Sequence, residues 1–300
     1  MNTLAVGDGF KIAVLLPCHN QAGSIGAVVR GFAEALPEAQ VYVFDNNSTD
    51  DTAREATHAG ARVFREQRPG KGSVVRRMFA DVEADIYVLA EGDGTYDPAD
   101  APSLVNALIT EHADMVVGMR SSVAGHAGGS FARRVLDGLY RQSIGVAFVD
   151  VFSGYRAFTR RFVKSFPAIS KGYDIDAELS IHAGQLMIPT AEIDLTERSE
   201  AAPRARNAAR DTLRVLKVLA ILMKETRPFA FYAAVATLFW IAGLAVLAAA
   251  GWSGGMLPAT GLFVVGFVSA ACGLVLESLG RARVEQKRIL FLTVPALGTQ

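Results

Sequence analysis

Residues 86–97 read Ile86-Tyr-Val-Leu-Ala-Glu-Gly-Asp93-Gly-Thr-Tyr-Asp97. The apolar start of this stretch is typical of a strand buried in a parallel sheet. It leads directly into a group of carboxylates, at the edge of the sheet where α/β proteins bind their ligands. Glu91 and Asp93 are therefore candidate ligands of a divalent cation, because Mg²⁺ binds one or two carboxylates together with the phosphates of a substrate. A solvated acidic turn that starts the next helix is the alternative interpretation.

Short β-rich segments alternate with amphipathic segments between residues 10 and 120, which predicts βαβ units on a parallel sheet. The predicted strands are Ile12–Leu16, Val41–Phe44, Arg62–Phe64, Ile86–Leu89 and Met115–Val117. The predicted helices between them are Ile25–Leu36, Asp51–Ala59, Gly72–Val82 and Ala101–Glu111. The fold class is therefore α/β, and the segments that follow the strands are where a functional site is expected.

Polar residues follow the first two predicted strands, in the segments 17–24 and 45–52. Asp45 is placed to accept hydrogen bonds from a base or a ribose. The next helix has three candidate capping residues, Ser48, Thr49 and Asp50. Capping alone is sufficient to explain Ser48 and Thr49.

The loop after the third strand, Arg65-Glu-Gln-Arg-Pro-Gly-Lys71-Gly-Ser73, combines cations with backbone donors at the start of a helix. Such an arrangement suits a diphosphate. It is not a P-loop, because Arg65 stands where the first glycine of that motif would fall. An ordinary Gly/Pro turn on a basic surface is the alternative.

Charge is unevenly distributed along this chain of 300 residues, although its formal net charge is zero. Residues 204–227 carry seven basic and two acidic residues, and residues 281–288 carry four basic residues and one acidic residue. Glu277 is the only charged residue between these two blocks. The overall balance favours no nucleic-acid partner, whereas the two basic blocks flank an uncharged region.

That region contains two apolar runs, Phe229–Ala250 and Leu257–Leu276. Each is close to the ~20 residues that a helix needs to cross the hydrocarbon core of a membrane. The flanking Lys and Arg residues place both outer ends in the cytoplasm by the positive-inside rule. A helical hairpin buried in a soluble core is the alternative, and the scarcity of polar atoms argues against it.

These patterns predict a multi-pass protein of the inner membrane with both termini in the cytoplasm. Its start does not resemble a signal peptide, and its two cysteines, Cys18 and Cys272, form no metal-binding or disulfide pattern. The predicted parts are a cytoplasmic α/β domain (1–203), an amphipathic helix on the inner leaflet (204–228), two membrane helices within 229–280 (about 229–250 and 257–279) and a cytoplasmic tail (281–300).

Four segments match, in order and spacing, the nucleotide-sugar domain of family 2 glycosyltransferases: Pro17–Asn20, Asp45–Thr52, Arg68–Gly72 and Glu91–Asp97. Two further segments resemble the polyprenyl-phosphate glycosyltransferases related to dolichol-phosphate mannose synthase. They are Ser153-Gly-Tyr-Arg-Ala-Phe158, which follows Asp150, and Gly172-Tyr-Asp-Ile-Asp-Ala-Glu178. The resemblance covers residues 10–228, and the paired C-terminal helices resemble a bacterial branch of that family.

The resemblance implies a GT-A (Rossmann-like) fold and an inverting sugar transfer at the cytoplasmic membrane face. The donor would be a UDP- or GDP-sugar and the acceptor a polyprenyl phosphate such as undecaprenyl phosphate, giving a lipid-linked sugar for cell-envelope glycan modification. Mg²⁺ or Mn²⁺ would be bound by Glu91 and Asp93. Since the second pKa of a phosphate monoester is near ~6, the acceptor needs little help from a base.

The same resemblance assigns roles to individual residues. Those implied to bind the nucleotide-sugar are Pro17, Asn20, Asp45, Asn47, Lys71, Gly92 and Asp93. Those implied to be catalytic are Asp93, Asp150 and Arg156, and those implied to bind the acceptor phosphate are Arg156, Arg204 and Arg206. Asp150 has an alternative role as a structural partner of Arg156.

The chain departs from the family pattern at three places. Glu91 stands where the family usually has Asp, Gln21 replaces an acidic residue, and the Lys expected before the membrane segment is missing. Arg204 or Arg206 is suited to replace that Lys, because a guanidinium binds phosphate well.

Two other functions are compatible with such a domain. A processive polysaccharide synthase would carry a Gln-x-x-Arg-Trp motif and more membrane helices, and the sequence has neither. An inactive membrane scaffold, with Glu91 as the damaging change, is the third interpretation. Whether the two spans only anchor the protein or also join copies into a homo-oligomer stays open.

Overall fold

The computed structural model describes residues 9–119, 153–168, 175–195 and 227–298, with the backbone alone at 251–253. Contacts divide the chain into two units. The first comprises residues 1–128, 146–204 and 287–300, and the second comprises residues 129–145 and 205–286. The predicted amphipathic helix at 204–228 lies outside the described residues, apart from its last two positions.

Within the described residues, one mixed sheet of seven strands forms the centre of the first unit. Its strands are β1 (Ile12–Cys18), β2 (Gln40–Asp45), β3 (Arg62–Arg65), β4 (Ile86–Leu89), β5 (Met115–Met119), β6 (Arg156–Thr159) and β7 (Thr190–Asp194). Their order is β3-β2-β1-β4-β6-β5-β7, and β6 alone runs antiparallel to its neighbours. The five predicted strands are confirmed, whereas β6 and β7 were not predicted.

Helices cover both faces of this sheet. They are α1 (Ile25–Ala35), α2 (Thr52–His58), α3 (Lys71–Asp81), α4 (Ala101–Thr110), α5 (Arg160–Ser165) and α6 (Ile175–Leu186). A 3₁₀ turn over Pro98–Asp100 precedes α4. The four predicted helices are confirmed, and the predicted α/β class is correct.

The two central strands β1 and β4 are buried on both faces, which explains why their sequences are continuous apolar runs. Successive side chains of a strand point to opposite faces. Val88 belongs to the core cluster that contains Phe32 of α1. Tyr87 instead contacts Phe79 of α3, with 6.4 Å between the ring centroids. The sheet is therefore packed against an apolar layer on each face. This packing holds the strands in place, and with them the loops at their carboxyl ends.

Two long apolar helices follow, α7 (Pro228–Ala250) and α8 (Gly254–Thr293). The second unit contains α7 and residues 254–286 of α8, whereas the last residues of α8 belong to the first unit. Although the backbone is helical throughout Pro228–Thr293, Trp240 Nε1 donates to the Phe263 carbonyl at 3.3 Å. In one straight helix these residues would lie about 35 Å apart. The chain therefore reverses between the two helices, as expected for a hairpin.

Glycines allow the helices of this hairpin to approach closely. A Cβ at Gly266 would lie 2.4 Å from Trp240 Nε1. The outward side chains are apolar and exposed, with Leu238, Leu244 and Leu257 at 68%, 60% and 85% exposure. Both helices are long and apolar enough to cross a membrane.

We expect the stability of the first unit to depend on pH through His182 of α6. The centroid of its ring lies 5.3 Å from the ring centroids of Phe162 and of Phe166. Burial and, to a lesser extent, the charge of Lys287 lower the pKa of His182 to about 3. The unfolded chain takes up this proton near pH ~6.5, so stability should fall as pH decreases from ~6.5 towards ~3. The loss at pH 5 should be about 2 kcal/mol.

Urea unfolding at pH 7 and pH 5 measures this effect, with His182→Gln as the comparison. The variant should lose the part of the pH dependence that His182 contributes. An equal pH dependence in both proteins would contradict the assignment.

Candidate active site

The end of β2 lies beside the end of β1 at the carboxyl edge of the sheet. Asp45 is buried, pairs in register with Cys18 and accepts a hydrogen bond from the Ser48 amide at 3.2 Å. Pro17 is buried within β1 opposite Phe44. The predicted nucleotide-binding positions of these two strands therefore lie together.

Two asparagines adopt the left-handed backbone conformation in the loops beyond these strands. Asn20 has φ 53° and Asn47 has φ 58°, and Asn tolerates this conformation better than most residues do. The Asn47 side-chain amide donates to the Gln67 carbonyl at 2.7 Å. Asn47 thus connects the loop after β2 to the loop after β3.

Ser48 and Thr49 join neighbouring loops instead of capping α2, so the predicted capping role is wrong for both. The Asn20 amide donates to Ser48 Oγ at 2.9 Å, and the Thr49 amide donates to Asn20 Oδ1 at 2.8 Å. Asp50 accepts hydrogen bonds from the amides of Ala22 and Thr52, both at 3.1 Å. These bonds fix the β1 and β2 loops relative to each other.

Asn46, which the sequence analysis did not single out, holds the basic loop after β3. Its Nδ2 donates to the carbonyls of Glu66 (3.0 Å) and Arg68 (2.8 Å), and its Oδ1 accepts from the Gly70 amide at 2.8 Å. All three polar contacts go to one loop. Asn46 therefore fixes the segment that was predicted to meet a diphosphate.

Gly92 brings the acidic pair after β4 against the first loop. A Cβ at this position would lie 2.3 Å from Cys18 Sγ and 2.6 Å from Gln21 Oε1. Ser24 Oγ donates to the Gly92 carbonyl at 2.9 Å. Gln21 Oε1 is buried and has no hydrogen-bond partner within the described part of the chain. Only glycine fits here without displacing the β1 loop.

Three carboxylates surround the end of β1. Burial raises the pKa of the Cys18 thiol, and the charges of Asp45, Asp93 and Glu91 raise it further. The structure therefore brings together three predicted site residues that lie up to 48 positions apart in the sequence. Cys18 stays a neutral thiol between them.

A buried ammonium connects this acidic edge to α6. Lys71 Nζ lies 2.8 Å from Glu91 Oε1 and 2.7 Å from Asp176 Oδ2, and Lys71 and Asp176 are only 8% and 6% exposed. Burial disfavours the charged ammonium, but the charges of Asp176 and Glu91 outweigh it and raise the Lys71 pKa. Burial also raises the pKa of Asp176, against the opposing charges of Lys71 and Arg156.

Asp176 is a site residue that the sequence analysis missed. The motif Gly172–Glu178 was quoted for its resemblance alone, and no role was assigned to its acidic residues. The sequence feature that could have identified Asp176 is its position in that motif, two residues after Asp174. Its partner Lys71 is 105 residues away, which no local pattern reveals.

The segment Ser153–Tyr155 passes directly against the Lys71–Glu91 ion pair. A Cβ at Gly154 would lie 3.0 Å from Glu91 Oε1 and 3.3 Å from Lys71 Nζ. The Gly154 amide donates to the Tyr96 hydroxyl at 2.8 Å. The absence of a side chain at Gly154 leaves room for both charged groups.

Arg156 is fully buried in this structure. Its Nε donates to the Ser153 carbonyl at 2.8 Å, and one terminal nitrogen donates to Ser180 Oγ at 2.9 Å. Here the guanidinium joins β6 to α6, and its contact with an acceptor phosphate stays a prediction. The roles of three other residues also stay predictions, because Asp150, Arg204 and Arg206 lie outside the described residues.

The oxygen ligands present suit a hard divalent cation bound together with a nucleotide. Asp93 is exposed, with Oδ1 accepting from the Thr95 amide at 2.9 Å, and the Glu91 side chain is 29% exposed. No group of three His, Cys, Asp or Glu residues suited to a metal exists in the part of the chain that is described. The two carboxylates therefore fit Mg²⁺ or Mn²⁺ if substrate phosphates complete the coordination.

The chain belongs to glycosyl transferase family 2, whose sequence profile matches residues 13–165. It is 53% identical to protein RfbJ of Shigella flexneri over 111 residues, which are 37% of this chain and 86% of RfbJ. It is 32% identical to glycosyltransferase AglJ of Haloferax volcanii over 192 residues, 62% of each chain. It is 26% identical over 203 residues to an undecaprenyl-phosphate mannosyltransferase of Micrococcus luteus, covering 62% of this chain and 83% of that enzyme.

Among solved structures, the chain resembles glucosyl-3-phosphoglycerate synthase from Mycobacterium tuberculosis. The complex of that enzyme with Mn²⁺, uridine diphosphate and phosphoglyceric acid aligns with a TM-score of 0.60 and 26% identity, over 73% of this chain and 80% of that one. The same enzyme has also been solved with Mg²⁺ and uridine diphosphate. The predicted GT-A fold is thus confirmed, and the protein is a glycosyltransferase by family.

We expect Gly92→Ala to damage the site because its Cβ would overlap Cys18 Sγ. Overpacking of this kind typically costs about 1–3 kcal/mol, so thermal stability should fall, and so should the affinity for whichever nucleotide, UDP or GDP, the unmodified protein binds with Mn²⁺. Calorimetric titration and thermal unfolding measure the two effects. Gly23→Ala is the matched control, since a Cβ at Gly23 has no atom within 4 Å.

The double variant Gly92→Ala/Cys18→Ala tests the cause. Removing the sulfur should restore part of the lost binding. If the double variant binds no better than Gly92→Ala, overlap with Cys18 is not the reason for the loss.

Proposed function

We propose that the protein transfers a sugar from a nucleotide-sugar to a polyprenyl phosphate at the cytoplasmic face of the membrane, with inversion at the anomeric carbon. The observation that carries the proposal is the convergence of Asp45, Glu91, Asp93 and Lys71 at the carboxyl edge of a GT-A sheet. The chain that contains this site also has two apolar helices of membrane-spanning length.

Each side chain has a proposed task in binding the donor. Asp45 accepts hydrogen bonds from the nucleoside, and Asn46 keeps the basic loop in place for the diphosphate. Glu91 and Asp93 hold Mg²⁺ or Mn²⁺, and the metal supplies neutralisation of the charge on the departing nucleotide. The acceptor phosphate is largely ionised near neutral pH, so positioning matters more than proton abstraction.

Two observations support a lipid acceptor. The outward side chains of α7 and α8 are apolar and exposed, and a surface of this kind is stable when lipid covers it. A relative from Micrococcus luteus is an undecaprenyl-phosphate mannosyltransferase. The basic blocks at both outer ends of the helices favour a cytoplasmic location for the catalytic domain.

Glu91 has two competing partners in this proposal, the metal and Lys71. Asp176 resolves the competition, because it offers the ammonium both carboxylate oxygens, at 2.9 Å and 2.7 Å. With Asp176 present, Lys71 would keep a buried charged partner if Glu91 held the metal. Asp176 is therefore proposed as a positioning residue of the metal–nucleotide site.

The transferase activity is tested with the purified protein, undecaprenyl phosphate, Mg²⁺ or Mn²⁺ and labelled UDP- and GDP-sugars. Label should enter the organic phase only when metal and lipid are both present. Asp93→Asn should reduce the rate at least about 100-fold, because charge stabilisation of the leaving group is lost. Asp81→Asn is the control, since Asp81 lies at the far end of α3 from Lys71.

The results also distinguish the alternatives. Binding of nucleotide-sugar without transfer to any lipid would favour the inactive scaffold. Label in long polymer instead of a single lipid-linked sugar would favour a processive synthase. Full activity of Asp93→Asn would contradict the proposed metal site.

Asp176→Asn tests the proposed positioning role. Lys71 would then depend on Glu91 as its charged partner, so Mn²⁺ should bind about 10-fold more weakly or worse in the presence of UDP. Electron paramagnetic resonance of Mn²⁺ measures the affinity, and Asp81→Asn again serves as the control. Unchanged Mn²⁺ affinity in a folded Asp176→Asn protein would exclude this role.

A further inference from the structure

The last described residues of the chain belong to the same unit as the sheet. Contacts group residues 287–300 with the first unit, although the preceding part of α8 belongs to the second. We infer that residues 287–298, called the clasp below, complete the catalytic unit by fixing α5 and α6, and thereby hold Asp176 at the active site. This inference rests on contacts within the first unit and does not require the proposed acceptor.

The first contact of the clasp is with α6. Lys287 Nζ lies 3.2 Å from Gln185 Oε1, and the Lys287 side chain is half-buried. Lys287 is also close enough to lower the pKa of His182, one turn earlier on α6. Lys287 of the clasp therefore interacts with two residues of α6, with Gln185 by a hydrogen bond and with His182 through its charge.

The second contact is with the first turn of α5. The Arg161 guanidinium lies 4.7 Å from the centroid of the Phe291 ring, within the range of a cation–π interaction. Both Nε and a terminal nitrogen of Arg161 also donate to the buried carboxylate of Asp114. Thr159 Oγ1 donates to the same carboxylate at 2.6 Å. Phe291 thus packs against an arginine whose other contacts connect the start of α5 with Asp114, the residue before β5.

The third contact is apolar. Leu297 is partly buried against the main core cluster of the sheet, which includes Val14 and Val88. Since Lys287, Phe291 and Leu297 contact three different places of the unit, their contacts restrain the clasp at both of its ends. Three separate contacts of this kind are not expected for a segment that has no structural role.

The consequence for the site follows from α6. This helix begins at Ile175 and ends at Leu186, about 16 Å away. Asp176 at its start binds Lys71, while Gln185 at its end binds the clasp. Because a short helix moves as one body, restraint at its end also restrains Asp176.

Cross-linking tests the contact in the full-length, membrane-embedded protein. In a Cys272→Ser background, Gln185→Cys and Lys287→Cys are combined and treated with a short bis-maleimide, whose two groups each add one thiol; the remaining Cys18 is buried. A linked peptide pair within one chain is expected. Ile289→Cys replaces Lys287→Cys as the control, because it lies about 200° further round the helix and is 62% exposed.

Two results would overturn the inference. One is equal cross-linking of positions 287 and 289 to position 185. The other is a cross-link that forms only between chains, detected by mixing two differently tagged proteins that each carry one cysteine.

Hydrogen exchange tests the consequence for α6. Lys287→Ala/Phe291→Ala, which removes the clasp contacts with both α6 and α5, should speed amide exchange across α6 and lower the midpoint of thermal unfolding by about 2–4 °C. Leu292→Ala, at a neighbouring position that is 70% exposed, should change neither. If this double variant exchanges like Leu292→Ala at α6, the clasp does not hold that helix; the cross-link remains an independent test if the double variant fails to fold.

Discussion

The buried ammonium of Lys71 is the interaction on which the site depends. A charge at 8% exposure is costly unless it is paired and hydrogen-bonded. Its partners, Glu91 and Asp176, come from the end of β4 and the start of α6. Satisfying one cation therefore requires α3, β4 and α6 to meet, and this occurs only when the whole unit has folded. Glycine at position 154 is part of the same requirement, since a side chain there would crowd both charges.

The charges around this ion pair explain why a nucleotide diphosphate would need a cation to bind. Asp45, Glu91 and Asp93 all lie near Cys18, and Lys71 is already shared between two carboxylates. A diphosphate brings further negative charge to an edge that is acidic. A divalent cation bound by Glu91 and Asp93 would remove this repulsion, and the partial exposure of both residues leaves room for it. The charges that would repel a free diphosphate would thus favour its complex with a divalent cation.

The sequence predicted the parts of the fold that local patterns determine. β1, β2, β4 and β5 are apolar runs that end at polar loops, and α1 to α4 have helical periodicity, so the bounds of these elements were predicted to within two residues. β6 was missed because it lies outside the alternation of residues 10–120, and its first residue, Arg156, is an arginine that is fully buried, whereas arginine is usually exposed. Asp176 was missed and Ser48 was misassigned for one reason, namely that their partners lie on other loops or helices. Contacts between distant segments decide such roles, and a single sequence carries little trace of them.

Glu91 is the departure from the family pattern that most affects the interpretation of function. Its extra methylene, compared with Asp, extends the carboxylate by about 1.5 Å. In this structure the longer side chain reaches Lys71 Nζ at 2.8 Å beneath Gly154, and 29% of it remains exposed. An aspartate would leave Lys71 with Asp176 as its near carboxylate partner among the described residues. The Glu91 carboxylate therefore pairs with the buried Lys71 ammonium and is also partly exposed to solvent. The replacement of Asp by Glu at position 91 therefore leaves a partly exposed carboxylate that can still bind a cation, so it is not in itself an argument for an inactive scaffold.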